Sequence, residues 1–142
     1  MITRYKHKTD LLYGVHDTLV SKISFLDEKT VRLQFDEGFF RLEEPYPKVV
    51  GNITIEKVDA DFADVLLLSE DGKYGKFTGY KLSLKEFINQ YDDYSFEIVG
   101  EMYGYNNVEY SGFLKLKDKD CFIEIILSIY YFGDIVYETN EP

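Results

Sequence analysis

The chain has one cysteine, no tryptophan, few prolines and no long hydrophobic run, and each shortage excludes a class of protein. The single cysteine among 142 residues, Cys121, rules out an internal disulfide framework and disfavours a cysteine-based zinc site. The most apolar run, residues 121–132, is too short for a membrane helix and is interrupted by Glu124 and Ser128. No apolar segment follows the basic residues of the first ten positions, so we predict a cytoplasmic protein without a secretory signal or membrane contact.

Basic residues are scarce relative to acidic ones. The chain has 16 Lys and Arg against 26 Asp and Glu, which gives a net charge of −10. Because this charge repels phosphate backbones, we predict that the protein does not bind nucleic acid and that any protein partner is basic. The alternative is that the acidity only keeps an aromatic-rich surface in solution.

Aromatic residues are abundant, with 13 Tyr and 11 Phe, and they favour strands because they fit a pleated, half-buried surface. Apolar and polar residues alternate with a period of two along residues 94–103, 108–117 and 121–131. Asn and Asp residues at 106–107 and 118–120 are typical of tight turns. The pattern predicts three antiparallel strands folded back on one another.

The fold class predicted from these patterns is mainly β (α+β), in a single domain over residues 1–142. The arrangement is an antiparallel meander, two sheets packed as a sandwich, or one strongly curved sheet. We expect residues 1–9 to form a loosely held arm or a short edge strand, and residues 139–142 to form a polar tail. Residues 19–26 are predicted as the first strand after the arm.

Two polar stretches are predicted to interrupt the strands. Residues 36–38 have the composition of a turn, and residues 59–64 that of a solvated acidic loop. Asp59, Asp61 and Glu70 take the first, third and twelfth positions of a calcium-binding EF-hand loop. The glycine that this loop requires is missing, so we predict no metal site there.

One helix is predicted at residues 83–91. Ser83 followed by Glu86 forms a capping box, which satisfies free N–H groups at a helix start. The apolar residues that follow recur at the spacing of one helix face: Leu84, Phe87, Ile88 and Tyr91. The helix therefore needs an apolar surface, and we expect it to lie against a face of the sheet or to close one end.

No set of residues predicts a catalytic centre, a metal site or a cofactor. His16 and Asp17 place an imidazole beside a carboxylate, but neighbours on an extended chain point apart. A small-ligand-binding or hydrolytic site near this pair stays as an alternative, on the condition that His16 lines a closed pocket. Glu97 and Glu101 are expected to share one face of a strand, as a chance pair among many acids. The glycine-containing loop at 72–75 is expected to be a hairpin tip.

Tyrosines gather around the predicted hairpin tip at residues 106–107. Tyrosine beside Asn and Gly suits a recognition surface, because the ring gives rigid contact area and the hydroxyl a polar end. The candidate binding residues are Tyr103, Tyr105, Asn106, Asn107, Tyr110, His16 and Asp17. The alternative is that about half of the tyrosines cover the core with their hydroxyls in water.

Short motifs across most of the chain resemble a group of small, uncharacterised bacterial proteins. The motifs are His16-Asp17 before the first strand, Phe39-Phe40, and Tyr103-Gly104-Tyr105-Asn106 before the strand that carries Tyr110. The resemblance implies no activity, since none is assigned to the group. Some similar small acidic proteins act as immunity partners of toxins, which is an analogy of class.

Three hypotheses for function follow. The leading one is a non-enzymatic protein-binding module, of immunity type in its narrowest form, that blocks a basic partner with an acidic, Tyr-rich surface. The second is the ligand-binding or hydrolytic protein with a site near His16. The third is a homo-oligomeric structural protein that pairs through an exposed edge strand at residues 39–42 or 135–138.

Overall fold

The computed structural model describes residues 1–6, 10–69, 77–117, 119–120 and 122–142, with the backbone alone at 77 and 78. Several predictions fall outside the described residues: those at residues 7–9 of the arm, at Glu70, in the loop at 72–75, at residue 118 of the predicted turn 118–120, and at Cys121. In chain order the elements are β1 Ile2–Tyr5, β2 Tyr13–Gly14, β3 Thr18–Val20, β4 Lys22–Asp27, β5 Thr30–Arg41, β6 Lys48–Ile55, β7 Val58–Ser69, β8 Phe77–Ser83, α1 Leu84–Gln90, β9 Tyr94–Gly104, β10 Asn107–Leu116, β11 Phe122–Tyr131 and β12 Ile135–Thr139.

The strands form two antiparallel sheets of six strands each, which confirms the mainly β, α+β prediction. The first sheet has the order β1-β12-β6-β5-β2, with β4 also paired to β5. The second sheet has the order β3-β9-β10-β11-β7-β8. Buried side chains from both sheets belong to one hydrophobic core, so the inner faces pack against each other.

The three strands predicted from alternation are present as β9, β10 and β11. Val108 and Leu114 of β10 and Ile125 and Leu127 of β11 are fully buried, as their shared phase predicts. The turn between β9 and β10 places Asn106 at φ 58°, in the left-handed region that Asn tolerates better than most residues. Side-chain alternation therefore located this part of the fold well.

The predicted helix is confirmed as α1. The Glu86 N–H donates to Ser83 Oγ at 3.1 Å, and the Ser83 N–H donates to Glu86 Oε1 at 3.0 Å, which completes the capping box. Leu84 and Phe87 are fully buried in the common core. The helix packs against β7 and β8 and reaches the core through these two side chains. With seven residues it is too short to cross a membrane, and no other helix occurs in the described ranges.

Residues 19–26, predicted as one strand, belong to two strands in different sheets. β3 pairs with β9 in the second sheet, whereas β4 pairs with β5 in the first. The chain changes sheets at Ser21, whose backbone N–H donates to the Gln34 carbonyl oxygen at 2.8 Å. Val20 before this corner and Ile23 after it are both buried. Sequence patterns could not show the corner, because both flanking segments read as inward-facing strand.

The predicted turn at residues 36–38 is wrong, because these residues lie inside β5. The register of β5 against β6 shifts between Phe35 and Phe39, which marks a bulge in a continuous strand. Gly38 sits there at φ 84°, and a Cβ at this position would collide with the carbonyl of Val49. Phe35 and Phe39 are buried on the two sides of the bulge, whereas Asp36 and Glu37 within it are exposed.

The predicted acidic loop at residues 59–64 is also wrong, because it belongs to β7. Ala63 pairs with Ile129 and Val58 pairs with Tyr131, so the extra residues of β7 form a bulge opposite β11. Val58 and Ala63 are buried, which anchors both ends of the acidic stretch. No group of three or more metal-ligating side chains occurs among the residues that the structure describes.

Neither predicted edge strand is an edge. β12 lies between β1 and β6, and Phe40 of β5 pairs with both Gly14 and Lys48. Both strands are therefore paired on both sides within the sheet, so the predicted pairing edges are wrong. The arm forms the edge strand β1, and Glu141 of the tail accepts hydrogen bonds from the Tyr13 hydroxyl at 2.6 Å and from Arg41 Nη1 at 2.8 Å.

Candidate functional site

Two of the candidate tyrosines face the core. Tyr110 is fully buried, and Tyr103 is mostly buried, with its ring centroid 5.4 Å from Tyr5 and 6.4 Å from Tyr110. These rings therefore join the two sheets from within and present no recognition surface.

The remaining residues of the predicted tip lie at one end of the second sheet. Tyr105 is 74% exposed. Asn106 shapes the turn and accepts a hydrogen bond from the Tyr131 N–H at 3.0 Å through its carbonyl oxygen. Asn107 pairs with Tyr130 across the sheet and is partly buried. Of the predicted tip residues, only Tyr105 offers a ring to solvent.

His16 and Asp17 contact each other on the surface. His16 Nδ1 lies 3.0 Å from Asp17 Oδ2, and the two side chains are 64% and 66% exposed. The expectation that they point apart is wrong, because Asp17 has φ 59° and bends the chain out of the extended conformation. His16 lines neither the cleft at residues 57–61 nor the one at residues 27–30. Its exposed position therefore gives no support to a closed ligand-binding or hydrolytic site at this pair.

Glu101 lies below this pair, on the inner side of the second sheet. Its Oε2 accepts a hydrogen bond from the Val15 N–H at 2.8 Å. Burial raises the pKa of Glu101, and the Val15 N–H and the charge of His16 offset part of this effect. A bulge in β9 at Val99 shifts the alternation by one residue, so Glu101 points inward while Glu97 stays exposed. The prediction that the two carboxylates share a face is therefore wrong.

Three tyrosine hydroxyls are buried near Glu101, and none forms a well-aligned hydrogen bond with a described residue. They belong to Tyr103 and Tyr110 of the second sheet and Tyr137 of the first. The Tyr103 hydroxyl is close enough to those of Tyr110 and Tyr137 to interact with both. Burial raises the pKa of all three far above the ordinary value, and the nearby Glu101 charge adds to the shift, so these phenols stay neutral.

The outer face of the second sheet is unusually apolar. Antiparallel sheets commonly present polar residues to solvent on one face. Here the outward positions of β7, β9, β10 and β11 carry Phe62, Leu66, Leu68, Val99, Met102, Phe113, Phe122, Ile126 and Tyr130. Among these, Met102 is 67% exposed and Phe122 51% exposed. Exposed apolar residues that adjoin one another on a rigid face are typical of a docking surface.

Four carboxylates share this face with the apolar residues. Glu109 stands between Met102 and Ser128 in the cross-strand row, and Phe113 stands between Glu97 and Glu124. Asp64 of β7 pairs with Ser128 and therefore lies in the same cross-strand row as Glu109. None of the four forms an ion pair with another described residue. They are available to a partner, as are the apolar side chains beside them.

An aromatic cluster marks the end of this face nearest the hairpin tip. We define it as Phe62, Tyr130 and Phe132; the ring centroid of Tyr130 is 6.3 Å from that of Phe62 and 5.5 Å from that of Phe132. Phe62 is 62% exposed and Phe132 is 59% exposed. Phe132 also lines an open cleft of about 840 Å³, whose other residues are Glu28, Lys29, Lys57, Val58, Asp59, Ala60, Asp61 and Lys85.

Sequence reasoning missed this surface, although part of the signal was present. Phe122, Ile126 and Tyr130 follow one another on the outward phase of β11. Such a run on a strand that already has a buried face indicates a second apolar surface. Phe62 was not recognised as part of this surface, because residues 59–64 were predicted to form a loop.

Protein-family models, curated proteins and solved structures were compared with the chain, and none matches it. No family is therefore assigned, and the resemblance to small bacterial proteins stays a prediction.

Proposed function

We propose that the protein is a non-enzymatic binding module that holds a basic protein partner on the outer face of its second sheet. The observation that carries the proposal is the combination of exposed apolar side chains with Asp64, Glu97, Glu109 and Glu124 on one rigid face. Apolar area supplies affinity, and carboxylates without an ion-pair partner in the described part of the chain supply attraction and orientation for a positively charged surface.

Charge favours a different protein over a second copy of the chain. Two copies that met through this face would bring the same four carboxylates together, and each chain carries a net charge of −10. Like charges in an interface cost free energy, whereas a basic partner is attracted from a distance. Self-association through this face is therefore disfavoured.

The narrower form of the proposal is an immunity-type protein that blocks a toxic partner. Blocking requires a complementary rigid surface and no catalytic residues, which agrees with the neutral tyrosines and the solvent-exposed His16 pair. Some small acidic proteins act as immunity partners of toxins, and this analogy of class points the same way.

The test measures binding of the purified protein to the products of the genes that flank its own, at physiological salt, by biolayer interferometry. Replacing Glu109 and Glu124 by lysine should weaken binding of a basic product at least about tenfold, because repulsion replaces attraction. The matched control, Asp36→Lys with Glu37→Lys, changes the net charge equally at exposed positions of the first sheet. Equal losses in both variants would show that only net charge matters and would overturn the proposal.

A further inference from the structure

No cation of the described residues lies over the rings of the aromatic cluster, in contrast to three other rings of the chain. Lysine ammonium groups lie over three other rings: Lys85 over Phe25 at 5.7 Å, Lys48 over Phe40 at 5.8 Å and Lys115 over Phe122 at 5.6 Å. No lysine or arginine of the described chain stacks on Phe62, Tyr130 or Phe132. A cation beside an aromatic face is stabilised by the ring quadrupole. The cluster therefore offers a cation–π surface that the protein itself leaves open.

Carboxylates lie beside these rings. Asp61 precedes Phe62 in the β7 bulge and is exposed, and both Asp59 and Asp61 line the cleft that Phe132 borders. Asp59 Oδ1 accepts a hydrogen bond from the Asp61 N–H at 3.1 Å, which fixes the local shape of the bulge. Within the described chain, neither carboxylate forms an ion pair, and both belong to the lining of the cleft that Phe132 borders.

We propose that the aromatic cluster takes an arginine side chain of the basic partner. The guanidinium plane stacks on the rings of Phe62 and Phe132, and its N–H groups donate to the carboxylate of Asp61. Arginine suits this arrangement better than lysine, because its planar fork stacks and donates at once and it sheds water more readily than an ammonium group. This inference rests on the proposed function and names the chemistry of the partner at one end of the docking face.

Lysines limit how many cations the cleft accepts. Lys29, Lys57 and Lys85 line it together with three acidic residues, Glu28, Asp59 and Asp61, so the formal charge of its lining sums to zero. A highly basic segment therefore gains no net attraction from the charges of the cleft lining, whereas one cation at its aromatic rim is stabilised by the rings. The arrangement predicts recognition of a single well-placed arginine in preference to a run of basic residues.

The experiment titrates ¹⁵N-labelled protein with the peptide acetyl-Gly-Arg-Gly amide and with the lysine analogue, and follows backbone amide shifts by NMR. We expect the arginine peptide to shift the amides of Phe62, Tyr130 and Phe132 most, and to bind about two- to fivefold more tightly than the lysine peptide. Phe132→Ala and Phe62→Ala should each weaken binding by a similar factor. Both rings are well exposed, so folding is preserved, which the spectrum of each variant reports directly.

The matched control is Phe122→Ala, which removes an exposed ring at the opposite end of the same face, where Lys115 already occupies the aromatic surface. This variant should bind the arginine peptide as the parent does. Equal shifts at other acidic sites, no preference over lysine, or unchanged binding in Phe132→Ala would each overturn the inference. In that case the proposed function would still hold if replacing Glu109 and Glu124 by lysine weakened binding of the partner protein.

Discussion

The outer faces of the two sheets differ in what happens to their charges. On the first sheet Arg32 Nη2 lies 3.2 Å from Glu138 Oε1, and the Thr54 hydroxyl donates to the same oxygen at 3.2 Å. The cross-strand rows of that face are mostly polar: Arg4, Val136, Thr54, Arg32 and Ser24, then Ile2, Glu138, Asn52, Gln34 and Lys22. On the second sheet the carboxylates stand among apolar residues and have no such partners in the described chain.

The polar groups of the first face satisfy one another, whereas the carboxylates of the second face have no ion-pair partner in the described chain. Polar groups that satisfy one another leave little for a partner to gain, since binding would have to break existing hydrogen bonds. Unpaired carboxylates beside exposed apolar area gain from any surface that supplies positive charge and excludes water. The two sheets share strand number and alternation, so the contrast lies in side-chain choice alone.

The largest effect is expected where the register of the second sheet is set. Gly112 faces the β9 bulge, and a Cβ there would collide with the Glu97 carbonyl, so Gly112→Ala should lower the free energy of unfolding by about 2 kcal/mol or more. Gly104→Ala is the control, because the nearest atom to its added Cβ is 3.8 Å away. Urea denaturation measures both, and equal losses would contradict the role of the bulge.

Buried tyrosines of the two sheets should respond with opposite signs. The Tyr110 hydroxyl forms no well-aligned hydrogen bond with a residue that the structure describes, so Tyr110→Phe should raise the free energy of unfolding by about 1 kcal/mol. The Tyr13 hydroxyl donates to Glu141 Oε1 at 2.6 Å, so Tyr13→Phe should lower it by about 1 kcal/mol. Thermal and urea unfolding provide the comparison. A loss of stability in Tyr110→Phe would show that its hydroxyl is bonded within the tyrosine group.

The same chemical change on the two outer faces should have unequal effects. Glu138→Gln removes the charge that pairs with Arg32, and we expect a loss of about 0.5–1 kcal/mol in the free energy of unfolding. Glu109→Gln removes a carboxylate without a described partner and should change stability by less than about 0.5 kcal/mol. If both variants lose stability equally, the faces do not differ in the way we describe.

The smallest effect concerns pH and the single inward carboxylate of β9. Burial raises the pKa of Glu101, so its contribution to stability is complete below the ordinary glutamate value of about 4.3 and is lost as the pH rises through the folded-state pKa. Glu101→Gln does not titrate and should gain relative to the parent as the pH rises from that value towards neutrality. Glu97→Gln, exposed on the same strand, is the control. A difference between Glu101→Gln and the parent that is constant with pH would contradict the raised pKa.

Alternation of side chains was enough to predict the meander and the buried face of the C-terminal strands, and the capping box with helical spacing predicted the helix. Alternation failed where the backbone leaves the regular pleat. The bulges near Gly38, at Val99 and within residues 59–62 each insert residues that change which side chains face inward, and no single residue type announces them. The position of Glu101 follows from one of these bulges.

The sequence predicted the chemical character of the candidate surface but not its position. An acidic, aromatic surface was expected, but Tyr103 and Tyr110 were assigned to it from their position near a turn. Their burial depends on packing against Tyr5 and Tyr137 of the other sheet, and such long-range contacts leave no local pattern. The aromatic cluster likewise combines β7 with the end of β11, which only the strand order brings together.

The strand order of the first sheet constrains when the molecule can assemble. β12 comes last along the chain yet occupies an inner position, with β1 on one side and β6 on the other. During synthesis β1 therefore waits, without its neighbour in the sheet, until β12 has left the ribosome. Such distant pairing slows folding, because most of the chain must be ordered before the last strand can close the sheet.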